Sequence, residues 1–504
     1  SIQEYLASTY IVQDGDAFQK VLSSFVTVND VLRYENILIC FSGLNANLIH
    51  KAFSRICEVC NEDTIVIQYR QEGDNYKFIR DLNAVYKRCI NEMNELEPVE
   101  ISDIYITSDT DYKLLMPRLR PHFARSLLID LIRCDAINIS AMTDLISLTL
   151  ISVTMSKECC RAVCSSISYI TNLQNLYLED LELHDGVLEL GKLINITSLR
   201  LDTVTVSEEC SISLCNSISS CTQLKKIKLN GIALHDGVLD LRFLTSLTSL
   251  TLCCVTMSEE CQISWCSSIS SCTHLEKLKL YKISLHNVVL DVKSLLNLAV
   301  LTLEDVTMSK ECCITLCSGI NNCSHMEILE LTSMPLNDCL LDLDKLTNLK
   351  VVNLCKLTMS ETSCRSWCSS IHIFTHLEIL ELCNVTLHDA VLDLKYLPNL
   401  TVLTLDDVNM SENCSRYLCS SLSSCTHLDI LEFKSLTLHD CQLELKSLIR
   451  LTVLTLDDVT MNEESCRSLC SNISKCSYLE ELKIKLIYLY GCIIDLRSMT
   501  NLTV

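Results

Sequence analysis

Residues 247–297 read LTSLTLCCVTMSEECQISWCSSISSCTHLEKLKLYKISLHNVVLDVKSLLN, and this 51-residue unit recurs from about residue 145 onward. Each copy carries the signature LxxLxL twice. The signature starts at Leu145, Leu173, Ile196, Leu224, Leu247, Leu275 and Leu298, and continues to Leu502 at intervals that alternate 28 and 23 without exception. In a short strand successive side chains alternate between faces, so the last apolar positions point inward and the x positions face solvent. The period predicts an α/β leucine-rich-repeat solenoid, a right-handed curved horseshoe with a concave sheet built from alternating 28- and 23-residue repeats.

Within the 28-residue half-unit the strand is followed by a helix signal. Ser207-Glu208-Glu209 and Ser258-Glu259-Glu260 place a serine at the N-cap and acids in the first turn, where they favour the helix dipole. Cys210, Leu214, Cys215 and Ile218 then form the apolar stripe toward the strands. The 23-residue half-unit is too short for such a helix. Its VLDL at Val238 to Leu241 predicts an extended or single-turn segment.

The 504 residues are 48% hydrophobic and 21% charged, with 9 Gly and 5 Pro, so turns fall to the repeat geometry and to Ser, Asn and Asp. A net charge of -22 argues against general nucleic-acid binding, which needs a basic footprint. No apolar run is long enough to span a membrane. The opening SIQEYLASTYIVQDGD does not read as a signal peptide, and the absence of an initial Met together with the ending NLTV points to a fragment.

The 33 cysteines fall into columns, Cys164, Cys215, Cys266, Cys317, Cys368, Cys419, Cys470 and Cys221, Cys272, Cys323, Cys425, Cys476. Members of a column lie two coils apart, roughly 10 Å at the strand spacing, and a disulfide needs Cα atoms within about 7 Å. The columns therefore read as packing thiols, and a reducing, cytoplasmic setting follows. Sequons at Asn195, Asn384, Asn399 and Asn472 are the rival signal, for an extracellular receptor.

Residues 1–110 lack the repeat. Helical spacing marks Ile2 to Ile11, Phe18 to Val26, Val31 to Leu44, Leu48 to Cys60 and Tyr76 to Met93, with Gln71 to Asn75 as a loop, which reads as a small all-α domain. Residues 111–144, with LLMPRLRPHF and LLIDLI, read as an irregular cap, so the repeat domain is residues 111–504 and its regular part 145–504.

Ser1-Ile2-Gln3-Glu4-Tyr5-Leu6-Ala7 with Tyr10-Ile11 resembles the SIQEYLAA-x-Y segment that follows the nucleotide-binding (NACHT) module of NOD-like receptors. Glu35-Asn36-Ile37-Leu38 through Phe41-Ser42-Gly43-Leu44-Asn45 is similar to that family's ENxLxFLxGLN stretch, with Cys40-Phe41 standing in for Phe-Leu. The resemblance implies the helical region after that module plus a repeat array that senses ligands and restrains a nucleotide-driven switch. It implies ATP or ADP for the parent protein only. Gly186 to Lys192, GVLELGK, is a near match to the phosphate-binding loop, but Leu193 replaces the hydroxyl residue and the segment is a repeat column, so no nucleotide-binding residue and no cofactor is assigned to this chain.

Copied columns also account for His184, His235, His286, His388 and His439, and for His274, His325, His376 and His427, which read as turn or cap residues. Pairs such as Cys160 and Cys164, Cys313 and Cys317, Cys364 and Cys368 share helical faces without two further ligands at metal spacing, and Cys57-Glu58-Val59-Cys60 is a lone CxxC in a helix. No metal site and no catalytic residue follow, and the chain reads as a non-enzyme.

What differs between copies is the solvent-facing strand positions. These give Lys226 and Lys228, Lys277 and Lys279 with Lys282 just beyond, then Glu330, Glu381 and Glu432; past the intervening strands come Glu304-Asp305, Asp406-Asp407 and Asp457-Asp458. Lys483 and Lys485 break the acidic run. Like charges stacked in a ladder repel unless neighbours or a partner relieve them. The expected site is this concave face, taking a protein partner, a microbial or danger ligand, or a basic surface of an upstream NACHT module. A ribonuclease-inhibitor-like interaction scaffold is the second reading.

Overall fold

A computed structural model describes residues 2–72, 76–93, 97–133, 137–285, 288–336, 339–438, 441–497, 499 and 501–502. The chain divides into two compact units, Ser1–Leu247 with Val255–Cys261, and Thr248–Cys254 with Gln262–Val504.

The first unit opens with helices α1 Ile2–Gln13, α2 Gly15–Ser23, α3 Val28–Arg33, α4 Glu35–Leu44, α5 Ala46–Glu62, α6 Thr64–Glu72 and α7 Lys77–Glu92. Apolar stripes at helical spacing drive the packing, Ile49, Phe53 and Ile56 on α5 against Leu82 and Tyr86 on α7, with Phe53 and Tyr86 edge to face at 4.9 Å. The stretch expected as one helix from Val31 to Leu44 breaks at Tyr34. Helix α6 was not anticipated, because Thr64, Ile65 and Val66 are β-branched and weaken its helical signal. Asp63 supplies what propensity lacks: its carboxylate accepts from the Ile65 amide at 2.9 Å and from the Val28 amide at 2.9 Å, capping α6 and α3 together. Gln71 and Glu72, expected in a loop, end α6; residues 73–75 lie outside the described residues.

Strands β1 Asp103–Ile106, β2 Ser126–Asp130, β3 Ser147–Ile151, β4 Asn175–Glu182, β5 Ser198–Thr205 and β6 Lys226–Asn230 follow in chain order in a parallel sheet, with helix α8 Asp109–Leu115 between the first two. The sheet thus starts ahead of the Asp111 boundary read from sequence, and the LLIDLI segment supplies β2. All four residues of β1 are buried. Its outer face meets α6 and α7, where Tyr69, Phe78 and Ile79 pack on Tyr105 and Leu128. A strand buried on both faces shows no alternation, which is why no signature marks it.

Beneath that cluster Arg70 donates from Nε and Nη2 to the two carboxylate oxygens of Asp103 at 2.8 and 2.6 Å, and from Nη1 to Asn61 at 2.9 Å. Ser102 and Ser126 hydroxyls add bonds to Asp103 at 2.7 Å each. Asn175 donates to the Arg70 carbonyl. The helical segment therefore covers the open face of the first strands, and Ser126, Ser147, Thr149 and Asn175 are buried there.

In the second unit the main strands are Ser249–Cys253, Lys277–Tyr281, Val300–Glu304, Ile328–Thr332, Val351–Cys355, Ile379–His388, Val402–Met410, Ile430–Thr437, Val453–Thr460 and Glu481–Lys485, all parallel and in register. Leucine columns fill the interior: Leu301 stands beside Leu278 and Leu329, and all three are fully buried. Helices α9 Lys157–Ile167, α10 Glu208–Ser220, α11 Glu259–Ser268, α12 Lys310–Ile320, α13 Glu361–Ser370, α14 Glu412–Leu422 and α15 Glu463–Ile473 occupy the 28-residue half-units. The expected caps form, with Ser207 accepting from Cys210 and Ser258 from Cys261, both at 3.4 Å. The 23-residue half-units carry single 3-10 turns at Leu190–Lys192, Leu394–Tyr396 and Leu445–Ser447, as their length requires.

One backbone feature recurs in every coil. The residue just past each strand is left-handed, including Asp180, Gly231, Lys282, Asp305, Lys356, Asn384, Asp407 and Asp458. Its amide still donates to the last carbonyl of the next strand, as from Lys282 to Glu304 at 2.8 Å and from Asp305 to Thr332 at 3.0 Å. The chain turns without losing a rung. Asp, Asn and Gly suit this conformation and Lys does not. Lys356→Gly is expected to stabilise the protein by about 1 kcal/mol, read as a rise in melting temperature; a fall would refute the strain.

Candidate functional site

The expected site residues occupy two kinds of position. Lys226, Lys228, Lys277, Lys279, Glu330, Glu381 and Glu432 lie within strands on the face that the helices leave open, as do Glu304, Asp406 and Asp457 at strand ends. Lys282, Asp305, Asp407 and Asp458 are the left-handed turn residues. Backbone geometry is a sufficient reason for the three aspartates at that position, so they carry less information about a ligand than the in-strand acids.

The charge ladder is interleaved rather than stacked. Register places Thr302 and Asn353 on either side of Glu330, Asn353 and Thr404 beside Glu381, and Thr404 and Thr455 beside Glu432. Thr302 donates to Glu330 and Asn353 to Glu381, each at 2.7 Å. Lys434 stands between Asp406 and Asp457 and donates to Glu432 at 2.7 Å. The Glu432 carboxylate, with Asp406 and Asp457 behind it, holds that ammonium above its ordinary value. Successive in-strand glutamates are two strands apart, about 10 Å, close to the screening length at physiological salt. Neighbours thus relieve the repulsion expected from the sequence.

In the first unit Arg200 neighbours Lys228 in register, stacks on Tyr177 at 4.1 Å and approaches Asp202 at 3.4 Å. In the second, Lys277 and Lys279 are flanked by Ser249 and Thr251 on one side and Val300 and Thr302 on the other.

One feature of this face was missed. The first position of successive strands is Val300, Ile328, Val351, Ile379, Val402, Ile430 and Val453, each facing the next in register. All but the buried Val300 are half-exposed. On one side run Glu330, Glu381 and Glu432; just ahead of the strands on the other run Glu327, Glu378 and Asp429. The signal was present as a β-branched residue two places before the last leucine in every copy after Lys277, but only charged x positions had been compared.

The remaining motifs resolve into scaffold. His184, His235 and His388 are left-handed turn residues; His286 and His439 lie outside the described residues. In the second column His325 and His427 place Nδ1 3.0 Å from the Leu296 and Pro398 carbonyls of the preceding coil. A cavity of about 290 Å³ in the first unit is lined by Asp180, Glu182, His184, Thr203 and Thr205, three of them left-handed turn residues. At Gly186, where GVLELGK begins, a Cβ would lie 2.7 Å from Cys164 Sγ and 2.9 Å from Cys160 Sγ, and no helix follows to cradle a phosphate. Cys57 and Cys60 are buried on α5, and burial pushes the Cys57 thiol up to about 12, unlike a redox thiolate. Among the sequons, Asn472 is buried and donates to Leu443 O at 2.8 Å, while Asn195 and Asn399 donate to Thr171 O and Thr375 O at 2.9 and 2.7 Å. Asn384 is exposed.

No protein-family model and no curated protein matches the chain. Solved structures do. A leucine-rich-repeat protein of Leptospira interrogans aligns over 72% of this chain and 93% of its own at 18% identity, with a TM-score of 0.50. An internalin, InlF, from Listeria monocytogenes aligns over 76% and 86% at 15% identity with a TM-score of 0.38. The leucine-rich-repeat ectodomain of the plant membrane receptor kinase GASSHO1/SCHENGEN3 from Arabidopsis thaliana aligns over 78% of this chain and 47% of its own at 18% identity, with a TM-score of 0.45. The likeness to the Leptospira protein, together with the parallel strands and their 28 and 23 spacing, gives this chain the leucine-rich-repeat fold.

Proposed function

We propose that this chain is a recognition region that binds a protein partner through the open face of the second unit, and that the partner presents aliphatic side chains flanked by lysine or arginine. The carrying observation is the β-branched stripe from Val300 to Val453 between two acid-bearing rows. Aliphatic side chains held half-exposed in register gain by burial, at about 25 cal/mol per Å². The acids on either side add selectivity, because an acidic partner would meet like charge. The role is binding, without a catalytic step.

We further propose that the region belongs to a NOD-like-receptor-like protein of the cytoplasm, in which it senses a ligand and restrains an upstream nucleotide-binding module. That reading rests on the resemblance at Ser1 to Ala7 and Glu35 to Asn45. Burial of Asn472 and the structural bonds of Asn195 and Asn399 favour it over a glycosylated receptor.

A fluorescent peptide of alternating lysine and valine tests the binding reading. The triple variant Glu330→Gln, Glu381→Gln, Glu432→Gln is expected to weaken its binding about tenfold, equivalent to about 1.4 kcal/mol, and added salt to weaken it further. The control Glu361→Gln, Glu412→Gln, Glu463→Gln alters helix-side acids paired with Arg365, Arg416 and Arg467, and leaves binding unchanged. Equal affinity in both triple variants contradicts the proposal.

A further inference from the structure

Cys466 and Cys470 stand one turn apart on α15, both buried. The fold brings a third thiol to them. Cys492 sits on the turn that closes the following half-unit, and the three sulfurs lie within 4.8 Å of one another. That turn is built for the purpose of presenting it: Tyr490 and Gly491 are left-handed, the Cys492 amide donates to Leu489 O at 2.7 Å, and the Tyr490 hydroxyl donates to Met461 O at 3.3 Å.

The position of Cys492 is a repeat column whose earlier members include Gly186, Gly237, Cys339, Ala390 and Cys441. The close approach of a Gly186 Cβ to both Cys160 and Cys164 shows that this column aims at the paired helix sulfurs. Three thiols coincide in two copies, Cys313 with Cys317 and Cys339, and Cys466 with Cys470 and Cys492. In the first copy all three are buried. In the second, Cys492 is half-exposed, and a cavity of about 350 Å³ lined by Cys470, Ser471, Tyr490, Gly491 and Cys492 reaches the cluster.

We propose that Cys466, Cys470 and Cys492 form a three-thiolate site for a thiophilic d10 cation, Zn²⁺, with a solvent water entering through the cavity as its fourth ligand. Tetrahedral Zn–S bonds of about 2.3 Å require sulfurs about 3.8 Å apart, which the present spacing reaches by small rotations about one side-chain torsion each. Three S–H bonds are lost, three Zn–S bonds form and three protons leave to solvent, so loading strengthens as pH rises. The ion ties the last helix to the coil that follows it. Spacing along the chain hides this site, because its third ligand comes from the next half-unit.

The test is Co²⁺ titration of the full chain, reduced and stripped with chelator. A sulfur-to-cobalt charge-transfer band that saturates and is bleached by Zn²⁺ is expected. Cys492→Ala should lose one equivalent of that band while Cys339→Ala retains it. In the unmodified chain, Zn²⁺ should protect Cys492 from iodoacetamide, a readout that does not depend on the variant folding. Absence of the band, an undiminished band in Cys492→Ala, or unprotected Cys492 at saturating Zn²⁺ overturns the proposal.

Discussion

Replacing Asp103 with alanine is expected to destabilise the first unit by about 3–5 kcal/mol, because it strands a buried guanidinium. Arg70 and Asp103 are both buried and meet in a two-point bond, and the Asp103 carboxylate also takes the Ser102 and Ser126 hydroxyls. The pair fastens α6 to β1, so the loss falls where the helical segment closes the open face of the sheet. Hydrogen exchange under mild urea reads it locally, with amides of α6, β1 and β2 losing protection first. A double replacement, Arg70→Met with Asp103→Leu, removes both charges and should recover most of the stability, since a buried pair is often replaceable by apolar side chains. If Asp103→Ala costs less than about 1 kcal/mol, the range of an exposed pair, the fastening role is wrong.

A second large effect is expected at Trp367. It is buried on α13, and Trp367→Ala should cost about 3–5 kcal/mol. The same column holds Leu214, Trp265, Leu316, Leu418 and Leu469, so the coil accepts leucine there. Among the described residues neither Trp265 Nε1 nor Trp367 Nε1 finds a hydrogen-bond partner. Trp367→Leu leaves a smaller cavity and relieves an unsatisfied donor worth about 1–3 kcal/mol. It should therefore cost far less than the alanine variant in urea denaturation. Equal losses would show that the indole ring is held by interactions leucine cannot replace.

Period made the array legible. Leu301, Leu329 and their equivalents repeat because each strand must bury the same two positions, and Ser207 and Ser258 repeat because each helix needs a cap. The start of the sheet was not legible, because β1 is covered on its outer face by Tyr69 and Ile79 and has no polar face to alternate with. Helix α6 was hidden by β-branched residues whose cost Asp63 offsets from outside the helix.

The candidate site was half legible. Glu330, Glu381 and Glu432 were found because charge stands out on a strand. Asp305, Asp407 and Asp458 were grouped with them, although their left-handed backbone is invisible until the coil is built. The aliphatic stripe escaped because valine and isoleucine in a strand read as core. Only register shows that Ile328, Val351, Ile379 and Val402 adjoin on the face that the helices leave open.

The central claim is that recognition occurs on that face of the second unit, and carboxyl footprinting tests it most directly. The full chain is labelled with a water-soluble carbodiimide with and without the alternating lysine–valine peptide, and modification is read residue by residue by mass spectrometry. The account predicts that Glu330, Glu381 and Glu432 lose labelling on peptide binding, while Glu361, Glu412 and Glu463 on the helices keep theirs. Protection of the helix acids with unchanged labelling at Glu330, Glu381 and Glu432 would contradict it.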